Sequence, residues 1–303
     1  MIRDPGRIGC ALESLERDEP IFATASRVRR WLLVEQSGAW GHDALRESQL
    51  PVGVADALAD RARAAGVRVL LVRDRGHETS GTRAAMLVRS DRVHRWVERI
   101  PFDDPEALVD LDLSTLDGDE PPGIGERVES TVSLVCTNGK HDPCCADLGR
   151  PVLRALREGG IDVWESSHVG GDRFAANLVC LPTGIYFGRV EPEHAARLLR
   201  DHDDGVLDLD HFRGRSCFPP LVQAAEVFAR RELGERGLHA LHLHRWARAG
   251  GTGAVVVFTR GDQRLRLTVS RHLGSPELLT CRDDAKRPWT YRLEEMEVSA
   301  QTA

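Results

Sequence analysis

Two cysteines and one histidine stand out in this sequence because their side chains bind metals and their spacing can bring them together. Cys136 and Cys145 lie nine positions apart in the segment CTNGKHDPCC, and His168 begins the segment HVGGD. Thiolate and imidazole groups are common protein ligands of iron and zinc. Asp172 follows four residues after His168, a spacing that can present two side chains to one metal if the loop wraps around it. The sequence therefore predicts a metal centre.

The elements around these residues predict how the two segments meet. Cys136 ends a predicted strand, TVSLVC, and Cys145 lies at the start of a predicted helix, so the intervening loop returns to the edge of the sheet. A helix N-terminus also favours an anionic ligand such as a thiolate. Because that helix links two parallel strands, we expect the loop begun by His168 to lie at the same end of the sheet.

The order of predicted elements is repeated along the chain. A unit that starts at Trp31 reads strand, helix, strand, polar loop, hairpin and a helix from about Asp104, and a second unit repeats this order from residue 131. This order is the thioredoxin-like plan. We expect an α/β (α+β) protein with tandem thioredoxin-like domains, mixed sheets and a small C-terminal α+β appendage. The expected boundaries are residues 1–120, 121–215 and 216–303.

Composition narrows the classes of function. The net charge of −6 over 303 residues argues against a nucleic-acid partner, which would require a basic excess. No stretch approaches the roughly 20 apolar residues of a membrane span, and the start lacks the apolar core of a signal peptide. We therefore expect a cytoplasmic protein without a membrane partner, whose cysteines stay reduced. Four cysteines stand alone and are interpreted as small buried apolar residues: Cys10, Cys180, Cys217 and Cys281.

The segments that carry the predicted ligands also resemble a known family. CTNGKHDPCC, a helix and then SSHVGGDRFAANLVCLPTGIYFGRV look like the sucrase/ferredoxin-like family, thioredoxin-like ferredoxins of the bis-histidinyl type. The resemblance covers roughly residues 20–190. It implies a [2Fe–2S] cluster with two ligands from each segment. Cys136 and Cys145 match the two family cysteines, His168 matches the first histidine, and Asp172 stands where the family has its second histidine.

This departure leaves the fourth ligand open. An Asp172 carboxylate would lower the reduction potential relative to a second imidazole. Alternatively, Asp172 hydrogen-bonds His168 or Arg173, and the fourth ligand is Cys144, Cys180 or a water molecule. Two residues are candidates for orienting the second loop by hydrogen bonding: Arg173 and Asn177.

The first unit lacks the cysteines of the second. Its corresponding segments are EQSGAWGHDAL and RGHETSGT, in which His77 is the candidate ligand. Because one ligand makes no site, we expect no metal site there. His141, which lies inside CTNGKHDPCC, is interpreted as an exposed loop residue rather than a ligand. We expect the first unit to support packing.

Three functions follow from these residues. The first is a soluble electron carrier or redox sensor, rather than a catalyst, that exchanges electrons with a reductase or an acceptor protein; the acidic balance suits docking to a basic surface. The second is a zinc-stabilised interaction module that uses Cys136, Cys145 and His168. The third is a thiol oxidoreductase, although such an enzyme normally has C-x-x-C at the position occupied here by Cys144 and Cys145.

Overall fold

The computed structural model describes residues 9–74 and 83–300, and within these ranges it contains five α-helices. They are Cys10–Glu16 (α1), Val52–Ala65 (α2), Pro143–Glu158 (α3), Pro192–Asp203 (α4) and Pro220–Leu233 (α5). In the part of the chain described, no helix has the length and apolar character that crossing a membrane requires. The segment 75–82, which includes His77, lies outside the described residues.

The strands form two sheets. The large sheet contains, in chain order, Arg30–Glu35 (β1), Arg68–Arg73 (β2), Arg83–Ser90 (β3), Arg95–Phe102 (β4), Glu126–Arg127 (β5), Val132–Cys136 (β6), Trp164–Ser166 (β7), Leu178–Leu181 (β8), Ile185–Phe187 (β9) and Phe212–Arg215 (β10). The small sheet contains His242–Ala249 (β11), Gly253–Arg260 (β12), Gln263–Leu273 (β13) and Trp289–Ala300 (β14). The fold is therefore mixed α/β, with a second, smaller sheet formed by the C-terminal segment.

The order of strands in the large sheet is symmetric about its centre. It runs β10-β9-β8-β6-β7-β2-β1-β3-β4-β5. In each half a helix joins a parallel pair, β1–β2 or β6–β7, and an antiparallel hairpin, β3–β4 or β8–β9, follows. This symmetric order confirms the predicted tandem thioredoxin-like fold.

The two halves meet where β2 and β7 pair in antiparallel fashion. Val72 lies opposite Ser166, and Arg73 lies opposite Glu165. The guanidinium of Arg73 donates to both carboxylate oxygens of Glu165, at 2.8 and 2.7 Å. Because both side chains are largely buried, this bidentate contact reinforces the junction, which we call the seam.

The helices begin and end at residues that suit those positions. α3, α4 and α5 begin with proline, whose fixed φ suits the first turn and whose missing N–H would have no partner there. α2 and α5 end at Gly66 and Gly234, which adopt φ values of +61° and +62°. In this left-handed region glycine avoids the strain that a side chain would cause.

The first half departs from the prediction after its hairpin. Instead of one helix from about Asp104, the chain forms two short 3-10 turns, Pro105–Leu108 and Leu113–Asp117. Asp104 caps the first turn and Asp112 caps the second, each by accepting a hydrogen bond from the backbone N–H two residues later. The prediction of a continuous helix was wrong because the second aspartate starts a new turn where a helix would have to continue.

The core has several apolar clusters, and α5 belongs to two of them. On one side α5 packs with the second half of the large sheet, where Val227 lies in the same cluster as Phe187 and Phe212. On the other side Val222 packs with the small sheet, in a cluster that includes Phe258. The helix therefore connects the C-terminal segment to the half that contains the predicted ligands.

Candidate metal centre

The end of β6 and the first turn of α3 bring the two predicted cysteines together. Cys136 is the last residue of β6, Cys145 lies in the first turn of α3, and both are buried. The helix approaches the strand closely at Gly149, where a Cβ would lie 2.1 Å from the carbonyl oxygen of Cys136. Asp142 caps the helix by accepting a hydrogen bond from the N–H of Cys144 at 2.9 Å.

The loop after β7 places His168 beside these thiols. Its Nδ1 lies 3.9 Å from Sγ of Cys145 and 3.0 Å from Oδ1 of Asp172. Gly171, which lies between His168 and Asp172 in this loop, adopts a φ of +85°. A Cβ at this position would lie 2.2 Å from the Arg213 guanidinium, so glycine permits both the turn and the close packing.

The structure thus gathers the predicted side chains into one place. Ligand atoms of Cys136, Cys145 and His168 all lie within 4.8 Å of one another. Asp172 is buried, and its Oδ1 lies 3.3 Å from Sγ of Cys145. Two thiols, an imidazole and a carboxylate form a donor set suited to iron or zinc. The described chain therefore has a cysteine-containing site that can hold a metal.

Buried polar side chains hold the loop after β7, which carries His168 and Asp172, in place. Arg213 is fully buried and donates to the carbonyl oxygen of Gly170 at 2.9 Å and to Oδ1 of Asn177 at 2.7 Å. Asn177 donates in turn to the carbonyl oxygen of Gly171 at 2.8 Å. Burial lowers the pKa of Arg213 to about 10, so the guanidinium stays cationic at neutral pH. Asn177 was predicted to orient this loop from the sequence, whereas Arg213, which lies far from both motifs, was not.

Arg173, the other residue considered for this role, makes its contacts elsewhere. Its Nε donates to Oε1 of Glu19 at 2.8 Å, and its guanidinium lies 4.3 Å from the ring centroid of Phe174. Arg173 therefore links the loop to the segment that precedes β1.

A column of three imidazoles leads from the site toward the surface. The ring of His141 stacks on His168 with 3.7 Å between centroids and on His42 with 4.7 Å. Nε2 of His141 lies 4.0 Å from Oδ2 of Asp172. His141 is half-buried, so its interpretation as an exposed loop residue was wrong. Its position inside CTNGKHDPCC was the signal that could have identified it as part of the site.

Charges within the site are strongly coupled. A hydrogen bond with Cys145 lowers the pKa of Cys136 well below its usual value and outweighs the opposing effect of burial. Burial lowers the pKa of His168, but the Asp172 carboxylate and Cys136 raise it more, to about 9. Burial raises the pKa of Asp172, while its contact with His168 lowers it, and the net direction is down. The site therefore combines anionic donors with one cationic ring.

The alternative fourth ligands lie elsewhere. The thiol of Cys144 points toward a different group, with its Sγ 3.8 Å from Sγ of Cys10 and 3.5 Å from Sγ of Cys281. Cys180 is fully buried in β8 within the apolar cluster that contains Phe187, and burial raises its pKa. The structure brings neither thiol into the group formed by Cys136, Cys145 and His168.

Comparisons with known proteins found similar solved structures and one family model that matches the chain. A solved structure of the thioredoxin-like [2Fe–2S] ferredoxin from Aquifex aeolicus is 19% identical, aligns with 31% of this chain and 97% of its own, and has a TM-score of 0.26. A cysteine-to-serine variant of that ferredoxin is 18% identical, with 27% and 96% covered and a TM-score of 0.24. The search of curated proteins found no match. The family model described as Sucrase/ferredoxin-like matches residues 21–214. Since this match spans more than half of the chain, the protein belongs to the sucrase/ferredoxin-like family.

Proposed function

We propose that this protein binds a [2Fe–2S] cluster through Cys136, Cys145, His168 and Asp172 and carries electrons. The observation that supports the proposal is the convergence of two loops. Two buried thiols come from the end of β6 and the first turn of α3, and an imidazole with a carboxylate comes from the segment after β7. A [2Fe–2S] cluster takes two ligands on each iron, and one iron accepts ligands other than cysteine in some proteins. The two pairs of donors match that division.

The surroundings of the ligands fit an anionic cofactor. Arg213 places a buried positive charge directly behind the loop that carries His168 and Asp172. A fixed cation in a weakly polar interior stabilises nearby negative charge. Because the potential of an iron–sulfur site depends on the charges and hydrogen bonds around it, we expect Arg213 to favour the reduced form.

Residues of this chain also define a route for electrons. A [2Fe–2S] cluster held by these ligands supplies a one-electron redox centre. The side chain of His168 is 20% exposed, and it stacks on His141, which stacks on the exposed ring of His42. We assign the docking of a reductase or acceptor protein to this surface. The net charge of −6 suits a partner with a basic face.

A single zinc ion is the second candidate for this site. The distances from Asp172 Oδ1 to His168 Nδ1 and Cys145 Sγ are 3.0 and 3.3 Å, and that from Cys145 Sγ to His168 Nδ1 is 3.9 Å. Such distances also suit ligands around one tetrahedral ion. The protein would then be a zinc-stabilised interaction module. Thiol exchange has less support, because the thiols of Cys144 and Cys145 face different groups.

Iron and sulfide analysis of anaerobically purified protein, with EPR after reduction, tests the proposal. We expect about two irons and two sulfides per chain and a reddish-brown colour. Cys145→Ser should lose the cluster, whereas Cys217→Ser, which removes a buried thiol outside the site, should keep it. A colourless protein that contains zinc in this site and no iron would overturn the proposal in favour of the second candidate.

Three variants identify the ligands of the second loop. Asp172→Ala should lose most of the iron, and His141→Ala should keep it. The opposite result would replace Asp172 by His141 as the fourth ligand, since both lie next to His168. His168→Cys should keep two irons, about the same as the wild type, and change the g-values, because a thiolate replaces an imidazole.

A further inference from the structure

A second group of metal-binding side chains lies beside the first turn of α3. Cys10, Asp142, Cys144 and Cys281 each offer one ligand atom, and these four atoms all lie within 4.8 Å of one another. They come from α1, from the start of α3 and from the segment between β13 and β14. We propose that these four side chains bind one zinc ion.

The distances between the thiols support a site for a single ion. Sγ of Cys144 lies 3.8 Å from Sγ of Cys10 and 3.5 Å from Sγ of Cys281. Zinc–sulfur bonds of about 2.3 Å in a tetrahedron separate two sulfurs by about 3.8 Å. Disulfide sulfurs, by contrast, lie about 2 Å apart. The thiols are therefore spaced as zinc ligands.

Asp142 supplies the fourth donor and orients two of the others. It is fully buried; its Oδ1 accepts from the N–H of Cys144 at 2.9 Å, and its Oδ2 accepts from the N–H of Cys281 at 2.6 Å. The Thr280 hydroxyl donates to the same Oδ2 at 2.8 Å, and the N–H of Cys10 donates to Sγ of Cys281 at 3.3 Å. Hydrogen bonds of this kind fix ligand orientation in metal sites.

Cys10 and Cys144 pack with Ala11 and Ala175 in a small apolar cluster, but apolar packing does not account for the carboxylate beside them. A single buried cysteine is usually a small apolar residue, but here three thiols lie against one buried carboxylate. Deprotonated thiols beside this carboxylate would place several negative charges together in the interior, which is unfavourable unless a cation compensates them. The N-terminal end of α3 adds a partial positive charge that favours the thiolate of Cys144. A zinc ion supplies the remaining compensation.

Closed sites with four protein ligands are typically structural. Cys10 is fully buried and Cys144 is 4% exposed, so the ion has little access for a substrate. The ion ties α1 and the loop that contains Cys281 to the first turn of α3. In that turn Cys145 directly follows Cys144. The zinc site shares no ligand with the proposed [2Fe–2S] site and does not depend on it.

Zinc and iron analysis of the full-length protein and its variants tests the site. The wild type should hold about one zinc ion per chain in addition to any iron. Cys281→Ser should lose the zinc and keep the iron and the visible spectrum, and Cys145→Ser should do the reverse. Cys217→Ser should keep both. Because Cys281 is partly exposed in a loop, its serine variant is the one best placed to fold normally.

A second measurement counts the thiolates. Cobalt substituted for zinc in the wild type should give a sulfur-to-cobalt charge-transfer band with the intensity of three thiolates per cobalt, and Cys281→Ser should lose this band together with the metal. The proposal fails if the wild type lacks zinc while its thiols are reduced. It also fails if mass spectrometry shows a disulfide between Cys144 and Cys281, or if Cys145→Ser removes the zinc and Cys281→Ser does not.

Discussion

The two halves of the large sheet share one strand order but carry different residues at the end of their first strand. Glu35 pairs with Val72, Cys136 pairs with Ser166, and Val72 and Ser166 face each other across the seam. In both halves the N–H of the following residue donates to the carbonyl of that partner, at 2.9 and 3.1 Å. Glu35 and Cys136 therefore occupy equivalent positions.

The difference shows what this topology needs before it can hold a metal. The carboxylate of Glu35 accepts a hydrogen bond from the N–H of Ala84 at 2.9 Å and so links β1 to β3. α2 starts only at Val52 after a long loop, whereas α3 starts at Pro143 after a short one. A short loop and a close helix bring the start of the helix to the end of the strand. In the proposed centre the strand end also carries a thiol, that of Cys136.

Replacing the residue at each strand end by alanine should give the largest difference in iron content between variants of the two halves. We expect Cys136→Ala to abolish cluster binding, because it removes one of the two thiols. Glu35→Ala removes only a hydrogen bond of the other half and should keep the full iron content. Iron analysis and the visible absorption spectrum measure both. Loss of the cluster in Glu35→Ala would show that the halves are not functionally distinct.

The outer edges of the sheet differ in the burial of their charges. At the β10 edge, Glu226 of α5 accepts from Arg215 at 2.8 Å and from Arg230 at 3.0 Å, and all three side chains are buried. Glu226→Gln leaves two buried guanidinium groups without their counter-charge and should lower the free energy of unfolding by about 3–5 kcal/mol. Urea unfolding followed by circular dichroism at neutral pH measures the change. A loss below about 1 kcal/mol, the range of surface pairs, would contradict this prediction.

The same three charged side chains make the free energy of unfolding depend on pH. Burial raises the pKa of Glu226, but the charges of Arg215 and Arg230 outweigh it and hold the pKa below 4.5 in the folded protein. A carboxyl group with a lowered pKa stabilises the fold above its unfolded pKa and loses that contribution as the pH falls through its folded pKa. The difference in unfolding free energy between the wild type and Glu226→Gln should therefore shrink below about pH 4.5.

The helix that joins the parallel strands of each half, α2 or α3, contains a glycine. The two glycines allow a matched test of how closely each helix can approach the sheet. A Cβ at Gly149 of α3 would meet the Cys136 carbonyl oxygen at 2.1 Å, whereas nothing lies within 4 Å of a Cβ at Gly53 of α2. Gly149→Ala should destabilise the protein by about 1–3 kcal/mol through overpacking and reduce the iron content. Gly53→Ala should stabilise it by about 0.5 kcal/mol, as expected for alanine in a helix. Thermal unfolding of both variants measures the contrast; equal effects would show that close approach of α3 is not required.

The smallest effect is expected at the β5 edge. Arg127 forms ion pairs with Glu120 at 3.1 Å and Glu129 at 3.0 Å, and all three side chains are at least half exposed. Glu129→Gln should change the free energy of unfolding by less than about 0.5 kcal/mol, because water and salt screen such pairs. The same urea titration as for Glu226→Gln measures it. A change that approaches the effect at the β10 edge would mean that exposure does not distinguish the two edges.

Much of the fold could be predicted from local patterns in the sequence. Runs of apolar residues predicted strands that the structure contains, such as TVSLVC, which includes β6. The repeated element order predicted two units of one topology. The convergence of Cys136 and His168 followed from the same reasoning, because adjacent parallel strands end at one edge of a sheet.

Features that depend on distant parts of the chain could not be predicted in this way. Cys10 and Cys281 lie 271 positions apart, and neither has a local motif that indicates a partner. His141 also stacks on His42, which lies in the loop between β1 and α2 of the other half. Arg213 contacts the loop after β7 from β10, the last strand of the predicted unit. Such contacts are set by tertiary packing, which the local pattern does not contain.

The short seam has a mechanical consequence. β2 and β7 join over two residue pairs, whereas β3 and β4 join over eight. Between β4 and β8 the seam has the fewest residue pairs of any junction, so a force that pulls these two strands apart would divide the sheet there first. All four proposed cluster ligands lie on one side of this line and would remain together, but His42 lies on the other side. Tension on the molecule would thus interrupt the imidazole column while leaving the centre whole.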